Sequence, residues 1–407
     1  MKILVADTFE ASGLEALKAD GCEVLYEPAL AGEGLVRAIE SSGADVLVVR
    51  STEVTEGMLD AGRLALIVRA GAGVNTIDVP AASRRGIYVS NCPGKNAMAV
   101  AELAFGLMLA LDRRIPDNVA DLRAGRWNKK EYSQARGVYG RTLGLIGFGS
   151  IGQEVARRAR GFGMHTIVWS PRFLRDGPAA MAALPHDVEI TVLHTPEDVA
   201  ERSDVLSLHL ALTKDTRNFV GAAILGRLRP GTLFVNTARA ELVDHAALAD
   251  AVQTRGVRVA VDVFPGEPAE AVASFAPPLV SLLGAYGTHH IGASTDQAQE
   301  AIAAEVVRVI RVYKDTGKVP NVVNLSTRTP ATHRLVVRHR DRPGVLAHVF
   351  DHLRARNLNV QETENVIFEG AEAAVARINL DGEPPADVLH AIEHGSQDIL
   401  SLQVVKI

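Results

Sequence analysis

Three polar residues close apolar runs in the middle of the chain. Arg239 stands in "FVNTARAELVD", Glu267 in "VDVFPGEP" and His290 in "GTHHIGAST". Together they could serve hydride transfer to or from a 2-keto acid. A planar guanidinium can hold a carboxylate and polarise a carbonyl with paired donors. An imidazole, which titrates near neutrality, can pass a proton at the carbonyl oxygen. A carboxylate beside the ring favours its protonated form and fixes its orientation. Taken one at a time, each residue has a plainer reading. Arg239 could pair with Glu241 or Asp244, Glu267 could be a turn residue, and His290 or its neighbour His289 could be a polar loop residue. Adjacent histidines lack the i, i+4 spacing of a helical metal pair, and no Asp/Glu/Cys cluster accompanies them, so no metal is expected.

Such chemistry needs a dinucleotide site. The chain carries a signal for one in Gly147-Phe148-Gly149-Ser150-Ile151-Gly152. The apolar run 142–146 before it reads as a buried strand. Ile151, Val155 and Ala159 after it fall on one face of a helix. A strand, then G-x-G-x-x-G, then a helix is the context that gives this motif meaning. Gly147 permits a tight turn, Gly149 lets backbone approach a pyrophosphate, and Gly152 lets the helix pack closely on the strand. N–H groups at the helix start then face an anion.

Parallel sheets must position these residues. The first hundred residues alternate the strands "KILVAD", "DVLVVR", "LALIVRAG" and "GIYVSN" with helical stretches, so a separate α/β domain precedes the fingerprint. A helix over 97–111 leads into a second α/β unit, with further strands "TIVWS", "DVLSLHL", "TLFVNTA" and "VRVAVDVF". A long helix in "STDQAQEAIAAEVVRVIRVYKDTG", striped by Ala301, Ala304, Val307 and Ile310, returns the chain to the first domain, where "VPNVVN" adds an edge segment. Two crossings make a hinge over a cleft. After Pro330 the pattern reads β-α-β-β-α-β, a small ferredoxin-like module. The expected fold is α/β, with two Rossmann-like doubly wound parallel-sheet domains and a C-terminal ferredoxin-like domain. The expected divisions are a discontinuous substrate domain over 1–98 and 292–328, a dinucleotide domain over 99–291, and a terminal domain over 331–407.

Composition narrows the classes. The 407 residues are 47% hydrophobic, enough for several cores. A net charge of −5 and a pI near 6.2 give no general attraction to nucleic acid or anionic membrane. "KILVAD" ends at Asp7 and is too short for a signal peptide, and the 97–111 run, broken by Glu102, is too short to span a bilayer. Two cysteines, Cys22 and Cys92, imply neither a disulfide nor a zinc framework and suit a reducing, cytoplasmic compartment.

Ordered segments across almost the whole length, "RAGAGVNTID", "NCPGKNAMAVAELAFGLMLAL", "GLIGFGSIG", "SLHLALTKDTRNFV", "FVNTARAELVD", "VDVFPGEP" and "HHIGAST", resemble the D-isomer-specific 2-hydroxyacid dehydrogenases. The resemblance implies that Arg239, Glu267 and His290 are the catalytic residues. It implies NAD as cofactor, with Ser150, Ile151, Thr237 and Ala238 lining the groove. Ile291, Gly292 and Ala293 would lie beside it, and Asp262 would contact the nicotinamide carboxamide. Ala72, Gly73 and Val74 resemble the loop whose N–H groups bind a substrate carboxylate. Arg50, Ser51, Lys95 and Asn96 lie in nearby loops, with Arg50 and Lys95 as candidates for a substrate phosphate. Ser170 stands where NAD-using members carry Asp, with Arg172 two residues on, so NADP is also open.

The segment "HRDRPGVLAHVFDHLRARNLNV" resembles an ACT domain. By that likeness an amino-acid effector, serine, would meet His339, Asp341 and, from a partner chain, Asn359. Such modules pair edge to edge, which implies a homodimer or homotetramer. The implied activity is oxidation of a small phosphorylated 2-hydroxy acid, 3-phospho-D-glycerate, to 3-phosphohydroxypyruvate, the first step of L-serine formation. The alternatives are a glyoxylate/hydroxypyruvate reductase and a non-catalytic NAD(H)-sensing corepressor.

Overall fold

The computed structural model describes residues 1–184, 186–268, 272–326 and 328–407. The chain folds as two compact units, Met1–Asn324 and Leu325–Ile407. Both expected parallel sheets form inside the first unit, each with its own strand set.

The first sheet runs, in space, Glu23–Tyr26, Lys2–Val5, Val46–Val49, Leu66–Arg69, Tyr88–Ser90. Its central strands, "VLVV" and "LIVR", are buried on both faces, as crossover helices require. Glu23–Tyr26 was not expected from the sequence. It is an edge strand with both ends exposed, so it lacks an apolar run. The "VPNVVN" segment does close the other edge, through the bridge of Ser90 with Val322.

The second sheet has seven strands in the order Ala285–Gly287, Arg258–Val261, Leu233–Asn236, Val205–Leu208, Thr142–Ile146, His165–Trp169, Thr191–Val192. The strand order reverses beside Thr142–Ile146, so the glycine turn lies at the topological switch point where open α/β sheets bind ligands. The two outermost strands, of three and two residues, are too short to show a pattern in sequence.

Two long helices connect the lobes. Ala97–Arg113 buries Ala101, Ala104, Phe105, Met108 and Leu111 in the core of the second sheet. Asp296–Thr316 starts at Thr295, whose hydroxyl accepts from the Ala298 N–H at 3.2 Å, and ends at Gly317 with φ +70°. It packs on the first sheet with Ile302, Val306, Val309 and Ile310. The expected stripe is therefore rotated, because Ala304 is exposed. Branched side chains bury more apolar area than alanine, on the order of 1.5–3 kcal/mol each, and they take the sheet.

One charge is buried in this helix. Glu305 is 6% exposed. Its carboxylate accepts from Arg308 Nη2 at 2.6 Å and from Asn321 Nδ2 at 2.7 Å, and it pairs with Lys95 Nζ at 3.2 Å. Hydrogen bonds from Arg308 outweigh burial and, with those from Asn321 and Lys95, hold the carboxyl down to about 2.

The second unit is an antiparallel sheet ordered Val360–Ile367, Ala373–Leu380, His333–Arg340, Ile399–Lys406. Helices Val345–Ala355 and Ala386–His394 cover one face, with Val349, Leu353, Val388 and Ile392 packed on Leu335, Val337 and Ile378. This is the expected β-α-β-β-α-β arrangement.

A carboxyl whose pKa falls on folding contributes stability that is complete above its ordinary value of 4.5 and is lost as pH drops through about 2. Glu305→Gln is expected to lower stability at pH 7 by about 2 kcal/mol. The gap to wild type should narrow as pH falls from 4.5 toward 2. Thermal melts followed by circular dichroism check both statements.

Candidate active site and cofactor groove

A cleft of about 2270 Å³ opens at the carboxyl ends of the strands of both sheets. Its floor is the glycine turn. Gly147 has φ +100°, and a Cβ there would lie 2.4 Å from the His209 carbonyl oxygen. A Cβ on Gly152 would lie 2.7 Å from the Gly147 oxygen, which is the close helix–strand approach expected of the third glycine. A Cβ on Gly149 would meet nothing within 4 Å, so its backbone faces the open cleft. Helix Ser150–Gly161 begins here and turns its first N–H groups toward that space.

Unpaired buried polar atoms lie around the cleft. Thr237 Oγ1, His209 Nδ1, Asn96 Oδ1 and Arg69 Nε have no hydrogen-bond partner among the described residues, and all four residues line the cleft. Buried polar groups are normally paired, so this set fits a polar dinucleotide and an acid substrate. His209 also holds Ser207 Oγ at 2.9 Å, and burial pushes its pKa down to about 3, so the ring is neutral. In sequence His209 is marked only by its place directly after an apolar strand, Val205–Leu208.

Ser170 is buried at the end of strand His165–Trp169, and Arg172 lines the same end of the groove. Arg175 joins them, although it also pairs with Asp176 at 2.7 Å. Ala238, Gly292 and Ala293 line the groove. Ile291 does not. It is 44% exposed and contributes its N–H instead.

That N–H goes to Asp262, which is 1% exposed. Asp262 Oδ1 accepts from Thr288 Oγ1 at 2.6 Å and from Ile291 N at 2.9 Å, while Oδ2 accepts from Gly292 N at 2.8 Å. The Asp262 carbonyl accepts from His290 N at 2.8 Å. One aspartate therefore clamps the loop 288–292. Within that loop His290 has φ +54°, a left-handed conformation that a histidine keeps only when its surroundings hold it.

The clamp sets the ring against Glu267. His290 Nδ1 lies 2.6 Å from Glu267 Oε2, and Glu267 Oε1 accepts from Phe264 N at 2.7 Å. Burial pushes the Glu267 carboxyl up, but the bonds from His290 and Phe264 outweigh it and hold it below the ordinary range. Glu267 is thus ionised at neutral pH and accepts a hydrogen bond from Nδ1–H, which leaves Nε2 for proton exchange with a ligand. His289 lines the cleft but has no carboxylate partner among the described residues.

Arg239 follows strand Leu233–Asn236. Asn236 holds its loop from both sides, accepting from Ala238 N at 3.0 Å and donating to Arg239 O at 2.9 Å. The guanidinium reaches the other lobe, where a Cβ on Gly73 would lie 2.5 Å from Arg239 Nη2. The loop 72–74 and the arginine thus face one another. Arg50 and Ser51 also line the cleft. Asp7 holds them in place, accepting from Arg50 N at 2.6 Å and Ser51 Oγ at 3.0 Å.

Sequence reading missed Arg69. It ends the strand "LIVR" and is pushed down to about 10 by burial, then by the charges of Arg239 and Arg50. Three guanidinium groups around one space would be relieved by an anion. Arg69 closes an apolar strand, which is too common a pattern to single it out, whereas Arg50 was expected from its place in a loop that the family resemblance puts near the substrate. Lys95 requires a correction. It does not line the cleft, because Glu305 draws its ammonium group away. Cys92 is a packed residue, its thiol pushed up to about 12 by burial.

In the terminal unit the expected effector site takes His339 and Asp341 from one chain and Asn359 from a partner chain. His339 is 2% exposed, with Nδ1 at 2.8 Å from the Arg340 carbonyl and Nε2 at 3.1 Å from Asn365 Oδ1. Its ring is fully engaged, so the expectation that it meets an effector is corrected. Asp341 and Asn359 are exposed. Arg340 pairs with Ala373 and Val360 with Leu380, which puts them at opposite ends of the sheet. Among the described residues no three His, Cys, Asp or Glu side chains are grouped to hold a metal ion, and no helix is long and apolar enough to cross a membrane.

Residues 105–292 match the family described as D-isomer specific 2-hydroxyacid dehydrogenase, NAD binding domain. The chain is 38% identical over 328 residues to a D-3-phosphoglycerate dehydrogenase of Methanocaldococcus jannaschii, covering 80% of this chain and 60% of that protein. It is 42% identical over 276 residues to a hydroxypyruvate reductase of Thermotoga maritima, covering 67% of this chain and 85% of that protein. The NAD+-bound 3-phosphoglycerate dehydrogenase of Entamoeba histolytica superposes with a TM-score of 0.65 at 28% identity, covering 80% of this chain and 99% of that one. The chain belongs to the D-isomer specific 2-hydroxyacid dehydrogenase family, and NAD is its cofactor.

Gly147→Ala places a methyl group against the His209 carbonyl at a backbone angle alanine resists. Affinity for NADH should fall more than tenfold, about 1.4 kcal/mol. A fluorescence titration checks this, and unchanged affinity contradicts the assigned groove.

Proposed function

We propose that the chain oxidises 3-phospho-D-glycerate to 3-phosphohydroxypyruvate with NAD. The observation that carries this is the His290–Glu267 pair at 2.6 Å, set in one cleft with Arg50, Arg69 and Arg239. NAD, when bound, supplies the acceptor for the hydride leaving C2. His290 Nε2 takes the hydroxyl proton, and Glu267 stabilises the imidazolium that results. Arg239 holds the carboxylate and the C2 oxygen, and the N–H groups of the loop 72–74 hold the carboxylate. Arg50 and Arg69 are left for a second anionic group, which favours a phosphorylated acid over an unphosphorylated one.

A second reading has its own support. The Thermotoga maritima relative is named a hydroxypyruvate reductase, and Ser170 with Arg172 and Arg175 would accept a 2′-phosphate. The terminal module is proposed as an ACT domain. Because Asp341 and Asn359 sit at opposite ends of its sheet, an amino-acid effector such as serine would bind between two copies, with His339 as an internal strut.

Steady-state assays with 3-phosphoglycerate and glycerate, each with NAD and NADP, separate the readings. The proposal expects the highest kcat/KM for 3-phosphoglycerate with NAD, and a preference for glycerate with NADP overturns it. Arg69→Ala should raise KM for 3-phosphoglycerate by about tenfold or more, the worth of one charge-assisted hydrogen bond, and move KM for glycerate less.

A further inference from the structure

Glu305 does not line the cleft, yet its contacts lead there. Three separate segments meet at its carboxylate. Lys95 comes from the approach to helix Ala97–Arg113, Arg308 from its own helix, and Asn321 from the returning segment. Asn321 has φ +55° and its Nδ2 also donates to the Asn91 carbonyl at 3.1 Å. Asn91 Nδ2 in turn donates to the Ala72 carbonyl at 2.5 Å, and the neighbouring Cys92 N donates to the Gly71 carbonyl at 2.8 Å. These bonds form one chain from a buried charge to the backbone of the loop facing Arg239.

A buried ion network seldom stabilises more than apolar side chains of the same volume would, but it fixes register. An apolar residue at 305 could fill the space. It could not orient Asn321, and Asn321 could not then orient Asn91. We propose that Glu305 is a positioning residue, which through Asn321 and Asn91 fixes the loop 71–74 on which the substrate carboxylate rests. The inference builds on the site reading above. It also gives Lys95 its place, as a partner of Glu305 and not of a substrate phosphate.

The loop contacts the carboxylate alike in the ground state and the transition state. Loosening it therefore removes uniform binding, which raises KM and leaves kcat nearly unchanged. The test uses the full chain as wild type, Glu305→Gln, Asn91→Ala and the double variant. Measurements are kcat, KM for 3-phosphoglycerate, affinity for NADH, and affinity for oxalate in the presence of NAD as a carboxylate probe.

Each single variant should raise KM and weaken oxalate about tenfold, with kcat and NADH affinity within threefold of wild type. The double variant should be no worse than the worse single one, because both act through one loop. Glu305→Asp should recover part of the loss. The proposal is overturned if Glu305→Gln melts earlier with KM and oxalate affinity unmoved, or if the two losses multiply in the double variant. If Glu305→Gln fails to fold, Asn91→Ala alone decides, and unchanged KM and oxalate affinity in it overturn the proposal. Should the wild type turn over none of the acids tested yet bind oxalate in an Asn91- and Glu305-dependent way, the positioning role stands and the substrate reading falls.

Discussion

A histidine kept in a left-handed backbone conformation is the constraint on which this site depends. The loop 288–292 has no regular secondary structure to hold it. It is held by the buried carboxylate of Asp262, which gathers the Thr288 hydroxyl and the N–H groups of Ile291 and Gly292, while its carbonyl takes the His290 N–H. Only with that clamp does the ring lie 2.6 Å from Glu267. The unfavourable φ at His290 is offset by these bonds, which is how functional sites retain strained residues. Asp262 was expected to contact the cofactor, and in the structure it is the residue that positions this loop.

The second constraint is electrostatic. Arg50, Arg69 and Arg239 point into one space, two from the first sheet and one from the second. Their mutual repulsion would be relieved by a bound anion. The two parallel sheets make this possible by presenting their carboxyl ends to a common cleft, so residues far apart in sequence meet there. The crossings that join the lobes are tied down on one side by Glu305, which joins the packing of the long helix to the geometry of the loop 71–74.

Much of this was legible in the sequence where backbone geometry restricts the choice of residue. Gly147 and Gly152 are visible because a Cβ at either would meet a carbonyl oxygen. The central strands are visible because burial on both faces demands continuous apolar runs. Other features leave no such trace. Glu23–Tyr26 and Thr191–Val192 lie at sheet edges, where short strands carry no pattern. Arg69 ends a strand like many others, and only the fold reveals that Arg50 and Arg239 face it. Lys95 was misread because its partner, Glu305, is more than two hundred residues away in the chain. His339 was misread because its neighbours on the sheet, and not its motif, decide whether its ring is free.

The central claim is that His290, and not the histidine before it, exchanges the proton. The direct measurement is the turnover of His290→Ala and His289→Ala, each with its NADH affinity. Loss of general acid–base catalysis should lower kcat of His290→Ala by roughly 10²–10⁴-fold with NADH binding intact, while His289→Ala stays within a few fold of wild type. Near-normal turnover in His290→Ala together with its loss in His289→Ala would contradict the account.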